Sequence, residues 1–130
     1  MFSARTADIV VDVRPQYMPE QSEPDRDYYV WAYTITITNE GPSTVQLRTR
    51  HWKITDTNGR LHEVQGDGVI GEQPVLGTGD SFEYTSGTPL TTPSGFMEGS
   101  YQMQNEAGDT FTVAIPAFPL DGPQVRRIIH

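Results

Sequence analysis

The hydrophobic and polar positions along the chain alternate in twos far more often than in threes and fours. The plainest case is Tyr28 to Asn39, where Tyr29, Trp31, Tyr33, Ile35 and Ile37 share one parity and Thr34, Thr36 and Thr38 share the other. That period places the odd residues on the buried face of a strand. Ala7 to Val13 (ADIVVDV) reads as a short β-branched strand, and Val45 to Asp56 as another. In the latter the phase slips. Val45 and Leu47 point inward on odd numbers, whereas Trp52 and Ile54 do so on even numbers. A one-residue β-bulge between Arg48 and His51 accounts for the shift. Arg60 to Gln65, Phe82 to Ser86, Phe96 to Glu106 and Phe111 to Ala117 supply the remaining strands. Pro116 and Pro119 are expected to end the last one.

Turn signals separate these runs. Asn39-Glu-Gly-Pro42 and Asp56-Thr-Asn-Gly59 are tight turns, the second a hairpin because Asn-Gly tolerates positive φ. Thr88 to Gly95 and Asn105 to Asp109 make further turns. Residues 14–27, with Pro15, Pro19 and Pro24 among acidic and amide side chains, read as a long exposed loop. Gly66 to Gly79 is the least regular internal stretch. Gln124 to His130 reads as a tail. No run shows a sustained helical period. Seven or eight strands without intervening helices specify an all-β, antiparallel two-sheet sandwich, with a closed barrel as the alternative. The chain reads as one domain over 1–130, with its core at about 5–122 and the tail at 123–130.

Composition narrows the chemistry. A chain of 130 residues has the size of one domain and buries enough surface to need no staples. It contains no cysteine, which excludes disulfides, thiolate metal sites and cysteine nucleophiles. The net charge is -8 and the pI about 4.6, so a phosphate backbone or anionic membrane is repelled. Neither a signal peptide nor a run of about 20 apolar residues is evident. The expectation is a soluble cytoplasmic protein with neither nucleic acid nor membrane insertion among its contacts.

Five features are candidates for function. Gly66-Asp-Gly-Val-Ile-Gly71 matches GxGxxG, but Pro74 and Gly77 oppose the helix that a dinucleotide site requires. Its amides could still form an anion nest without a helix, although Asp67 and Glu72 work against an anion. A glycine-bent crossover between the sheets is the simpler reading. Arg48, Arg50, Lys53 and Arg60 gather positive charge in one hairpin, for an anion, an acidic partner or local ion pairs. His51 and His62 test a metal site. If Thr55 faces Arg60, His62 faces Lys53 and His51 faces Val64, leaving the histidines two residues out of step, about 7 Å or more apart. Asp67, Glu72 and His62 are the weak candidates for a divalent cation, and no cofactor is expected. Serines and paired carboxylates lack the arrangement of a catalytic set, so an enzyme is not expected. Tyr28, Tyr29, Trp31 and Tyr33 resemble a stacking platform only superficially; their parity belongs to a core strand.

Longer motifs point to a family. Tyr29-Val-Trp-Ala-Tyr-Thr-Ile-Thr-Ile37 is followed by Arg50-His-Trp-Lys-Ile-Thr-Asp56, Asn58-Gly59 and Val64-Gln-Gly-Asp-Gly-Val-Ile-Gly-Glu-Gln-Pro-Val-Leu76. Then come Phe82-Glu-Tyr-Thr-Ser-Gly87, Thr92-Pro-Ser-Gly-Phe-Met-Glu-Gly-Ser-Tyr-Gln-Met103 and Ile115-Pro-Ala-Phe-Pro-Leu120. In order and spacing these resemble the ApaG family, also called CorD, over about residues 5 to 122, and Ile128-Ile-His130 looks like its endings. The resemblance implies an immunoglobulin- or fibronectin-III-like sandwich. It also implies a genetic association with cobalt resistance and magnesium efflux. Related domains in a eukaryotic F-box protein and in a DNA-polymerase-interacting protein look like protein-binding modules. The family's glycine motif, proposed to bind pyrophosphate, falls on Gly66, Gly68 and Gly71. No catalytic residues carry over. The expected function is therefore a non-enzymatic module with an unidentified protein partner. The alternative is a phosphate or pyrophosphate binder using Gly66, Gly68, Gly71, Arg50 and Arg60.

Overall fold

Strand β3, Tyr29–Asn39, organises the structure, a computed structural model that describes residues 1–122. Its odd residues from Tyr29 to Ile37 are buried and its even residues are half-buried. It lies in a four-stranded antiparallel sheet of order β1-β2-β3-β7, where β1 is Phe2–Thr6, β2 Ile9–Tyr17 and β7 Ser81–Leu90. The second sheet has the order β5-β4-β8-β9. There β4 is Val45–Asp56, β5 Leu61–Asp67, β8 Ser94–Asn105 and β9 Thr110–Asp121. A two-residue strand, β6 (Val75–Leu76), also pairs with β4. The fold is thus an all-β, antiparallel two-sheet sandwich and not a barrel. The expected tail at 123–130, with His130 and the Ile128-Ile-His130 ending, lies outside the described residues.

The core is aromatic at its centre. Phe118 packs 6.0 Å from Tyr33 and 6.0 Å edge-on from Trp52, and Tyr33 and Trp52 lie 5.3 Å apart. These rings join the sheets, since Tyr33 belongs to the first and the other two to the second. Asn39 is buried with its polar side chain, as Thr88 and Thr92 are, and its amide is fully used. Nδ2 donates to Ser43 O (2.8 Å) and Leu76 O (3.0 Å), while Oδ1 accepts from Gly41 N–H (2.9 Å). One side chain thereby fixes the turn after β3 to β6.

Several boundaries correct the expectations. Residues 14–17 are strand, so the exposed connection begins at Met18 and contains two short 3-10 turns, Pro19–Gln21 and Pro24–Arg26. Pro15 is tolerated because β1 reaches only Val13, leaving that part of β2 paired with β3 alone. β1 itself was not anticipated. Pro116 and Pro119 do not end β9, which continues to Asp121. It is an edge strand, and its register against β8 jumps between Met97 and Gly99, so Pro116 falls in the irregularity. Likewise β7 runs through Gly87 and Pro89 on another edge.

The phase slip in β4 is a bulge. Leu47 pairs with Met103 and Thr49 with Gln102, so Arg48 is the additional residue. Beyond it Arg50, Trp52 and Ile54 face the other sheet.

Candidate functional site

The bulge at Arg48 and the glycine motif are two halves of one construction. β5 and β6 both run antiparallel along the same edge of β4, and the chain between them loops out where Arg48 is added. The Arg48 carbonyl accepts from Gly68 N–H (2.9 Å) and Gln73 Nε2 (2.9 Å), and Leu47 N–H donates to Pro74 O (3.0 Å). Val69 and Glu72 exchange both backbone hydrogen bonds, at 2.8 and 2.9 Å. Ile70 (φ 42°) and Gly71 (φ 80°) form the tight hairpin tip between them. The motif is therefore not a crossover between sheets. It begins in β5 and folds back onto the same sheet, and the crossing to β7 comes after β6.

Packing and turn geometry account for these glycines. A Cβ on Gly66 would lie 2.8 Å from Arg50 Nη1. One on Gly68, at φ 63°, would lie 2.2 Å from Glu72 O. Two amides proposed for an anion, those of Gly68 and Val69, are already bonded to backbone carbonyls. Arg50 closes the construction. Its Nη1 donates to Asp67 O (3.1 Å) and Gly68 O (2.9 Å).

Arg50 also faces a cleft. The edges of β5 and β7 do not meet, and between them opens a space of about 610 Å³. Tyr33, Arg50, Trp52, Ser86, Arg60 and His62 are among its lining residues. The structure thus lines one cleft with Arg50 at its Gly68 end and with His62 and Arg60 toward its other end, and the hairpin tip at Gly71 does not border it. Lys53 projects from the opposite face of β4, and Arg48 sits at the bulge, bonded to Gln46 Oε1 at 3.2 Å. The four cations of the hairpin do not form one patch.

The histidine geometry differs from the expectation. Asp56 N–H bonds Arg60 O (3.1 Å), so the loop holds three residues and Thr55 pairs with Leu61. His62 consequently faces Ile54, not Lys53, and His51 faces Gln65, not Val64. His51 instead meets Glu63 on the outer face, Nε2 to Oε2 3.0 Å. His62 lines the cleft, whereas Asp67 ends β5 and Glu72 closes the hairpin. Among the described residues no three His, Asp or Glu side chains converge as metal ligands, and no helix is long and apolar enough to cross a membrane.

The electrostatics of the cleft follow from burial. Neither Arg50 nor Arg60 has a carboxylate oxygen within 4 Å among the described residues. Asp56 also lines the cleft, where its Oδ1 accepts the N–H groups of Asn58 (2.9 Å) and Arg60 (3.0 Å). At the floor, burial raises the Tyr33 phenol pKa, with Ser86 and the Arg50 charge opposing the rise. Behind it the Tyr84 and Tyr101 hydroxyls share a buried 2.6 Å hydrogen bond, and burial pushes both pKa values up. These are structural hydroxyls at neutral pH.

Ser86, Thr88 and Leu90 also line the cleft and were not anticipated. The signal was present in the parity of β7. Phe82, Tyr84, Ser86, Thr88 and Leu90 share one face, which turns polar midway where a sealed core would stay apolar.

Comparison with known proteins gives a consistent family. Residues 19–105 match the ApaG domain family. The chain is 58% identical over 130 residues to Protein ApaG of Parvibaculum lavamentivorans, covering 100% of both chains. It is 60% identical over 126 residues to Protein ApaG of Rhodospirillum centenum, covering 97% of each. The crystal structure of a Bordetella pertussis protein described as ApaA superposes with a TM-score of 0.87 at 50% identity, covering 90% of this chain and 95% of that one.

Proposed function

The chain belongs to the ApaG domain family, and from that premise we propose that it is a non-enzymatic binding module that engages protein partners through the open side of its sandwich. The observation that carries this reading is the free edge of β7. Over ten residues β7 pairs with β3 on one side and with no described strand on the other. Exposed sheet edges are templates for an added strand, and recognition by strand addition draws its affinity from main-chain hydrogen bonds. We place the module in the cytoplasm. We read the family's association with cobalt resistance and magnesium efflux as indirect, exerted through a bound protein.

The test is site-directed photocrosslinking in cells. A crosslinking amino acid at Thr85 on the β7 edge should yield discrete protein adducts, and one at Thr112 on β9 should not. Equal adducts at both positions, or none at Thr85, would reject the reading.

A second reading, binding of phosphate or pyrophosphate, is favoured by Arg50 and Arg60 lining one cleft with no carboxylate oxygen within 4 Å of either among the described residues. Titration with pyrophosphate should then move the Arg50 and Arg60 side-chain signals and the amides of Gly66, Gly68 and Gly71. Absence of shifts at millimolar pyrophosphate removes it.

A further inference from the structure

We infer that the cleft accepts an extended segment of a partner protein as an added strand on β7, and that a glutamate or aspartate of that segment docks on Arg50. This rests on the protein-binding reading above and names the chemistry of the partner.

The direction of the free groups on β7 follows from its pairing. Asn39 N–H donates to Asp80 O (3.0 Å), and on the other side of β3 Glu40 N–H donates to Asp8 O (2.8 Å). Odd residues of β3 therefore bond toward β7 and even residues toward β2. In an antiparallel pair the bonded partners are opposite, so Tyr84 (opposite Ile35), Ser86 (opposite Tyr33) and Thr88 (opposite Trp31) exchange bonds with β3. Glu83, Thr85 and Gly87 then turn N–H and C=O outward. Pro89 ends the series because it has no N–H. Three consecutive donor–acceptor sites at a two-residue spacing match one extended segment of about five residues.

A strand laid on this edge turns alternate side chains toward β5. That wall carries Val64, His62 and Leu61, the last 56% exposed, with Leu90 facing it from β7. Apolar side chains are thus accommodated at the ends of the segment. Between them stands Arg50. The Arg50 guanidinium is pinned through Nη1 by two carbonyls, so its remaining donors are oriented before a ligand arrives. Arg60 lies at the other end of the cleft, just before β5, beside Asp56. Elsewhere the surface is acidic, with the whole chain at -8. An acidic segment is therefore repelled except where Arg50 receives its carboxylate, which selects both partner and register.

The experiment uses the intact chain and amide chemical-shift mapping. The probe is the capped pentapeptide Val-Thr-Glu-Thr-Val, with Gln and Lys in place of Glu as controls. The largest shifts are expected at Glu83, Thr85 and Gly87. The Gln peptide should bind about tenfold more weakly and the Lys peptide weaker still. The Arg50 Nε–H signal should shift with the Glu peptide and stay in place with the Gln peptide. Equal binding of the Glu and Gln peptides overturns the acidic preference. Shifts confined to the β5 edge, or produced by inorganic phosphate but by no peptide, overturn the docking inference. Absence of peptide shifts combined with crosslinks at Thr85 overturns this inference alone. Loss of both rejects the protein-binding reading with it.

Discussion

The two long sides of the sandwich are made of similar strands but are finished in opposite ways. On one side β1 and β9 approach each other, and Ala114 N–H donates across to Thr6 Oγ1 at 3.0 Å. Trp31 Nε1 reaches Asp121 O at 3.1 Å, and Phe2 packs 6.5 Å from Phe118. On the other side β5 and β7 stand apart, with Ser86 and Thr88 where apolar residues would seal the gap. The first side spends its polar groups on itself. The second leaves main-chain groups and two cations available. The edge proposed for recognition is thereby separate from the sealed one, so its side chains can change without risk to the core.

The largest expected effect tests the sealed side. Phe118→Ala removes the ring that joins Tyr33, Trp52 and Phe2 and should cost about 3–5 kcal/mol in urea unfolding. Leu61→Ser on the open side should stay within about 0.5 kcal/mol. A Leu61→Ser loss as large as that of Phe118→Ala would break the contrast.

An intermediate effect probes the boundary between the two regions. Tyr84→Phe leaves the buried Tyr101 hydroxyl without its partner and should cost about 1–3 kcal/mol. The double variant with Tyr101→Phe should recover part of that loss. The same pair gives a pH signature. Burial raises both phenol pKa values above the ordinary 10.0, so the folded state keeps protons that the unfolded chain releases. Their contribution is complete below pH 10 and falls as pH rises further. Stability measured from pH 8 to 11 should decline at the alkaline end, and the double variant should decline less.

The smallest effect has the opposite sign. Ile70 holds φ at 42° on the hairpin tip and is 54% exposed, so a β-branched residue occupies a left-handed position with little packing in return. Ile70→Asn should raise stability by about 1 kcal/mol in the same unfolding assay. A loss would show that Ile70 makes contacts worth more than its strain.

Alternation made the sheets legible in the sequence, because burial on one face imposes a period of two. It marked β3 and located the bulge before Trp52. Proline misled where it lay on an edge or at an irregularity, since the rule against it applies to a strand bonded on both sides. Pro15, Pro116 and Pro119 are all of this kind. β1 was hidden because Phe2–Thr6 carries few apolar residues and gains its place by pairing with β2. The hairpin register failed by one residue, because Asp56 captures the amides of Asn58 and Arg60 and shortens the loop. The cleft was half visible. Arg50 and Arg60 stood out by charge, but its other wall comes from β7, some 25 residues further along the chain. No local period reports that two edges will remain apart.

Arg48 has a consequence for how this sequence can vary in length. One added residue inverts inside and outside for the remainder of β4, as a frameshift does for codons. Were it deleted, Arg50, Trp52 and Ile54 would exchange sides with Thr49, His51 and Lys53. The detour from Gly68 to Pro74 is fitted to that one addition through the Arg48 carbonyl and the Leu47 amide. An insertion or deletion at either place is thus tolerable only with its counterpart at the other, so two stretches about twenty residues apart behave as a single heritable unit.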